Sequence, residues 1–88
     1  MAVYKLALSN QAERIIRRMA EREPTLYRRV ANALDDIQRD PHQGKPLKGE
    51  LKGRYSYRLG SYRIVYFIRQ HELLVLIIDI GHRRDIYR

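Results

Sequence analysis

Two arginines lie on either side of Gly60-Ser61, at a spacing that suits the binding of an anion. The residues before and after Gly60-Ser61 are rich in aromatic and β-branched types, and a Gly-Ser pair suits a two-residue type II′ hairpin turn. Such a turn places Arg58 directly opposite Arg63 on one face of the sheet, where like charges repel each other. A phosphate that accepts hydrogen bonds from both guanidinium groups would relieve this repulsion. The alternative is that both side chains extend into water.

A second group of chemically capable residues lies near the C-terminus, in Gly81–Arg88. Arginine can stabilise the charge of a phosphorane, tyrosine can stack on a base or exchange a proton, and histidine titrates near neutral pH. This density predicts a site, although a basic tail without a defined structure is the alternative. The residues of interest here are His82, Arg83, Arg84 and Tyr87.

Other catalytic signatures are missing from the sequence. The three histidines are not at metal-ligand spacing, and no glycine-rich nucleotide motif or serine nucleophile motif is present. We therefore expect metal-independent chemistry without a small-molecule cofactor.

The net charge of +8 is concentrated in the second half of the chain. Residues 1–44 contain eight Lys and Arg against six Asp and Glu, whereas residues 45–88 contain ten against four. Arginine outnumbers lysine fourteen to four, which favours forked contacts with phosphate. A polyanionic partner is therefore expected, and a basic surface that only maintains solubility is the alternative.

The length and the residue types limit the class of protein. A chain of 88 residues accommodates one small domain, and we expect residues 1–88 to form it. The sequence has no cysteine, which excludes disulfides and thiolate metal sites and favours a reducing compartment. The longest apolar run, Leu73–Ile78, is far shorter than the roughly 20 residues that a membrane helix needs. We expect a cytoplasmic protein without a membrane partner.

The apolar spacing predicts an α+β fold with the order β-α-α-β-β-β. Ser9 and Asn10 are candidate helix caps, and Pro24 begins a second helix after the first. The turn-rich segment Asp40–Pro46 is predicted to be a loop. The predicted strands are Ala2–Leu8, Tyr55–Leu59, Tyr62–Arg69 and Leu73–Ile80. The helical hairpin should pack on the apolar face of a mainly antiparallel sheet and leave the face of Arg58 uncovered.

Three motifs resemble the RelE branch of the RelE/ParE toxin superfamily, and together they extend over almost the whole chain. Gly60–Tyr66 is similar to the family's G-Y-R-(L/V/I)-V-Y strand, and Lys45–Gly49 is similar to its K-x-L-x-G loop. Ile80–Arg88 is similar to its terminal G-(H/K)-R-…-Y pattern.

The resemblance implies a toxin that enters the ribosomal A site and cleaves messenger RNA through attack of a ribose 2′-hydroxyl on the adjacent phosphate. By motif position, Arg63 would hold this phosphate and Arg83 would neutralise or protonate the leaving group. Tyr87 would stack on or orient a base, and Arg58 stands where the family usually has a basic residue.

One position departs from the family pattern, because Ser56 stands where the best-known members have a lysine. This departure leaves the general base open between Lys52 and His82, and His82 is favoured because an imidazole suits proton transfer at neutral pH. Lys48 and Arg84 are further candidates for contacts with RNA phosphates.

The resemblance also implies a cognate, RelB-like antitoxin that docks an acidic amphipathic helix on the domain. Two other functions stay open. One is a ParE-like poison of DNA gyrase, and the other is an RNA-binding toxin homologue with weak catalysis.

Overall fold

A computed structural model describes residues 3–82, which form two helices and a five-stranded sheet. The elements in chain order are β1 (Lys5–Leu8), α1 (Asn10–Arg22), α2 (Pro24–Arg39), β2 (Lys45–Pro46), β3 (Arg54–Leu59), β4 (Tyr62–Arg69) and β5 (Leu74–His82). Within this part of the chain, no helix is long and apolar enough to cross a membrane.

The sheet has the strand order β1-β5-β4-β3-β2, with β1 parallel to β5 and every other pair antiparallel. The predicted α+β fold is therefore confirmed. The prediction of a continuous loop over Asp40–Pro46 was wrong at its end, because Lys45 and Pro46 pair with Ser56 and Tyr55 and form β2. A strand of two residues has no periodicity of its own, and it forms here through pairing with a distant segment.

The first helix begins at a single cap residue. The Ser9 hydroxyl accepts a hydrogen bond from the Ala12 backbone N–H at 3.0 Å and donates one to the Ile78 carbonyl at 2.6 Å. Ser9 is thus the cap rather than Asn10, because its hydroxyl also fastens the start of the helix to β5.

Both helices pack on one face of the sheet and enclose the core with it. Pro24 stands in the first turn of α2, where its missing N–H leaves no helical hydrogen bond unmade. The helix then buries an apolar stripe of four residues, and each of the three larger side chains stabilises the fold by roughly 1.5–3 kcal/mol. These residues are Val30, Ala33, Leu34 and Ile37, and they pack with Ile64, Tyr66, Val75, Ile77 and Ile80 of the sheet.

Strand β5 lies between β1 and β4 and ends at His82, two residues beyond the predicted end. This extension places Gly81 opposite Arg63 and His82 opposite Tyr62. Strand β5 begins at Leu74, one residue later than predicted, because Leu73 has a left-handed backbone with φ of 49° and closes the preceding turn. The strand therefore reaches the same end of the sheet as the β3–β4 hairpin turn.

Candidate phosphate-binding site

The β3–β4 hairpin turn fixes which residues face each other across the two strands. Gly60 has a φ of +62°, whereas Ser61 is not among the residues with positive φ, and this sign pattern fits a type II′ turn. The resulting register places Arg58 directly opposite Arg63. The pairing predicted from the sequence is therefore confirmed.

Alternation along these strands separates an apolar face from a basic one. The residues that pack against the core on the helix side are Tyr55, Tyr57, Leu59, Tyr62, Ile64, Tyr66 and Ile68. The other face carries Arg58 and Arg63 next to the buried pair Ser56 and Val65, and we call it the arginine face. Arg58 is exposed and Arg63 is half-buried. On the neighbouring strand β5, the residue that pairs with Arg63 is Gly81, which adds no side chain to the arginine face.

A surface depression of about 360 Å³ lies beside the two arginines, and we call it the arginine depression. It is lined by Gln43, Gly44, Lys45, Ser56, Tyr57, Arg58 and Arg63. Three of these residues are cationic, and none of the lining residues in the described part of the chain is acidic. A volume of this size can hold a phosphate with its sugar, and the charge favours an anion.

The one phenol that lines the depression is engaged with α2. The Tyr57 hydroxyl donates to the Asp36 carboxylate, with 3.2 Å between the oxygen atoms. Burial raises the pKa of Tyr57, and the hydrogen bond to Asp36 and the negative charge of Asp36 raise it further. Tyr57 therefore keeps its proton at neutral pH and cannot act as the base that takes a proton from a 2′-hydroxyl.

A buried tyrosine holds β2 against the sheet. The Tyr66 hydroxyl donates to the Pro41 carbonyl at 2.5 Å, and a backbone hydrogen bond joins it to Gly44. Burial is the largest of several effects on Tyr66, and together they raise its pKa to about 12. The approach is so close that a Cβ at Gly44 would lie 2.1 Å from the Tyr66 hydroxyl oxygen and 3.2 Å from the Ser56 carbonyl oxygen. Glycine is therefore required at the residue that precedes Lys45.

His82 lies away from the arginine depression. Its register partner is Tyr62, which packs against the core, and the two rings are 5.8 Å apart with an angle of 70° between their planes. Adjacent strand residues point to opposite faces, so His82 is on the helix side whereas Gly81 is in the row of Arg63. The structure therefore does not bring His82 to the arginine pair, and its role as the general base stays a prediction.

Lys48 and Lys52 line a second, separate space of about 470 Å³, which we call the loop cavity. Its apolar lining consists of Pro46, Leu47, Tyr55 and Ile68. Among the described residues, the loop cavity and the arginine depression share no lining residue. The structure therefore does not bring Lys48 or Lys52 to the arginine pair.

Arg83, Arg84 and Tyr87 lie outside the described residues, and their predicted roles stay predictions. Between residues 3 and 82, no three side chains of the types that ligate metals form a cluster. The residue that the sequence reasoning missed is Lys45, which pairs with Ser56 and lines the arginine depression. The K-x-L-x-G motif that begins at Lys45 was the available signal.

The sequence and structure match known toxins. A family model described as the ParE toxin of type II toxin-antitoxin system, parDE, matches residues 6–87. The toxin RelG of Mycobacterium tuberculosis (strain ATCC 25618 / H37Rv) is 37% identical over 86 residues, which cover 97% of each chain. The toxin RelE of the same organism is 35% identical over 86 residues, which cover 97% of this chain and 87% of the relative.

Among solved structures, the toxin-antitoxin complex RelBE2 from Mycobacterium tuberculosis contains a chain with a TM-score of 0.81 and 31% identity. The match covers 93% of this protein and all of that chain. The chain therefore belongs to the RelE/ParE superfamily, as a toxin of the type II toxin-antitoxin class.

Proposed function

We propose that this toxin is an endoribonuclease that cleaves messenger RNA in the ribosomal A site. The observation that carries the proposal is the direct opposition of Arg58 and Arg63 beside a depression whose described lining has no carboxylate. Two adjacent guanidinium groups form a site for one phosphodiester, because each can donate two parallel hydrogen bonds to its oxygens.

The proposed reaction needs no water molecule. The ribose 2′-hydroxyl gives its proton to a base as its oxygen attacks the adjacent phosphorus, the O2′–P bond forms, the P–O5′ bond breaks, and the departing O5′ takes up a proton. The products are a 2′,3′-cyclic phosphate and a 5′-hydroxyl. Arg58 and Arg63 hold the phosphate and stabilise the negative charge that accumulates on its oxygens in the transition state. By family resemblance, Arg83 neutralises or protonates the leaving oxygen, and Tyr87 stacks on or orients an RNA base.

Primer extension on a defined message in programmed ribosomes tests this proposal. Wild-type protein is expected to cut within the A-site codon and leave a 2′,3′-cyclic phosphate, and Arg63→Ala is expected to abolish the cut. Arg17→Ala is the matched control, because Arg17 is exposed on α1 and paired with Glu13. Equal cleavage by the Arg63 and Arg17 variants would show that the assigned site is wrong.

A second candidate function is a ParE-like poison of DNA gyrase, which the description of the matching family model favours. It predicts intact messengers together with gyrase-dependent DNA breaks in expressing cells. A third candidate is a toxin homologue that binds RNA but cleaves it weakly, and it predicts salt-sensitive RNA binding without a cyclic-phosphate product.

The proposed partner is a RelB-like antitoxin, since the RelBE2 relative was crystallised as a toxin-antitoxin complex. The basic surface suits an acidic amphipathic helix. Pull-down with the product of the neighbouring open reading frame tests this idea. A toxin that remains alone in the presence of that product contradicts it.

A further inference from the structure

Lys45 occupies a defined place on the arginine face although β2 is only two residues long. Its register partner is Ser56, and directly opposed residues of an antiparallel pair share a face. Arg58 lies two residues further along β3 on that same face. Lys45 is exposed, and it lines the arginine depression together with both arginines.

Contacts on both sides of Lys45 fix its backbone. On the N-terminal side, Gly44 packs against the Tyr66 hydroxyl, which also donates to the Pro41 carbonyl. On the C-terminal side, the Leu47 N–H donates to the Arg54 carbonyl at 2.9 Å. The side chain therefore starts from a point that the fold determines, unlike a lysine in a free loop.

Strand geometry brings Lys45 within reach of a phosphate bound to the arginines. Opposed residues are about 5 Å apart and two residues of a strand extend about 7 Å, so the Cα atoms of Lys45 and Arg58 are about 8 Å apart. An extended lysine carries its ammonium group roughly 6 Å from its Cα, as the bond lengths of its four-carbon stem dictate. One anion between the two residues can contact both.

We propose that Lys45 is the third cationic ligand of the scissile phosphate. The inference rests on the proposed function for the identity of the ligand, and it adds a residue from the edge strand to the arginine pair of the central hairpin. Its ammonium group supplies positive charge to the oxygens of the phosphate. A phosphate contact of this kind releases counterions and therefore contributes to the salt dependence of RNA binding.

The experiment measures binding of a single-stranded RNA that has a 2′-deoxy sugar at the scissile position, in the absence of ribosomes and over a series of salt concentrations. For Lys45→Met, the slope of log Kd against log salt is expected to fall by about 0.7, the contribution of one phosphate contact to a single strand. Affinity at 0.1 M salt is expected to fall by about fivefold on the same basis. Lys45→Arg keeps the charge and should retain the wild-type slope.

Lys5→Met is the matched control, because Lys5 is an exposed lysine on β1, at the opposite edge of the sheet. Its slope should equal that of the wild type. The proposal is overturned if Lys45→Met also has the wild-type slope, or if Lys45→Arg loses as much as Lys45→Met.

The two proposals fail in different ways. If the wild-type protein binds RNA with a slope that depends on Lys45 but never cleaves a message on ribosomes, the nuclease proposal fails and the Lys45 contact stands. If the wild-type protein cleaves and Lys45→Met changes neither the slope nor the cleavage rate, the Lys45 proposal alone fails.

Discussion

The arginine depression and the loop cavity are both basic, yet they differ in how their charges are held. Arg58 and Arg63 extend from paired strands in fixed register, and Lys45 is fastened beside them. The cations of the loop cavity surround an apolar lining of Pro46, Leu47, Tyr55 and Ile68, and Lys48 and Lys52 belong to a connecting segment with a single 3₁₀ turn. The described linings of the two spaces contain the same total number of lysines and arginines. We therefore expect the rigidity of the supporting backbone to determine which space binds the reacting phosphate.

The largest expected difference between the two spaces is in cleavage. Arg63→Ala should lower the initial rate of message cleavage on ribosomes by at least about 100-fold, because a fixed charge that faces the transition state is lost. Circular dichroism and thermal unfolding should show that the variant is folded, since Arg63 is half-buried. A rate within threefold of the wild type would remove the arginine depression from the mechanism.

Glycine substitutions test whether the backbone support differs as described. Gly44→Ala should reduce the free energy of unfolding by about 2 kcal/mol and also slow cleavage, because the new Cβ would overlap Tyr66 and displace β2. Urea unfolding and the ribosome assay measure the two effects.

Gly49→Ala is the counterpart at the loop cavity. Its Cβ would meet no atom within 4 Å, but the φ of +69° disfavours alanine by about 1 kcal/mol. It should leave cleavage unchanged. If Gly49→Ala slows cleavage as much as Gly44→Ala, the rigidity of the backbone does not explain a difference in activity between the two spaces.

The hydrogen bond from Tyr66 to Pro41 can be tested with a substitution that removes only one oxygen atom. Tyr66→Phe leaves the Pro41 carbonyl without its hydrogen bond and should reduce the free energy of unfolding by about 1–2 kcal/mol, whereas Tyr27→Phe at an exposed site should change it by less than about 0.5 kcal/mol.

The raised pKa of Tyr66 predicts that the free energy of unfolding depends on pH. The unfolded phenol ionises near pH 10, whereas folded Tyr66 keeps its proton up to about pH 12, so its contribution to stability is complete below pH 10 and is lost as the pH rises towards 12. The difference between wild type and Tyr66→Phe should therefore shrink over that range. A difference that is constant from pH 9 to pH 12 contradicts this account.

The smallest effect is expected at the loop cavity. Lys52→Ala should lower the cleavage rate by no more than about threefold, because an exposed charge away from the reacting phosphate contributes mainly to long-range attraction. The same ribosome assay with the Lys48→Ala variant gives a second measurement. A decrease in the cleavage rate as large as that caused by Arg63→Ala would show that the loop cavity takes part in the reaction.

The sequence was sufficient to predict the hairpin that carries the site, because turn chemistry at Gly60-Ser61 determines register locally. The alternation from Tyr55 to Ile68 then determines the two faces. The sequence was not sufficient for β2, which is made of two residues and exists through pairing with Ser56 and Tyr55. Lys45 was missed for this reason.

The position of His82 depends on where β5 ends, and local sequence cannot determine this. Gly81-His82 was interpreted as the end of a strand, whereas pairing with Tyr62 and Arg63 continues the strand through both residues. The two additional residues of β5 place His82 beside Tyr62 and outside the lining of the arginine depression.

The most direct test of the paired-arginine site is the NMR spectrum of arginine side-chain Nε–H groups during titration with RNA that has a 2′-deoxy sugar at the scissile position. We expect the signals of Arg58 and Arg63 to shift together and to saturate at the same RNA concentration, whereas the signal of Arg17 on α1 does not move. Binding that shifts Arg17 and leaves both Arg58 and Arg63 unchanged would contradict it.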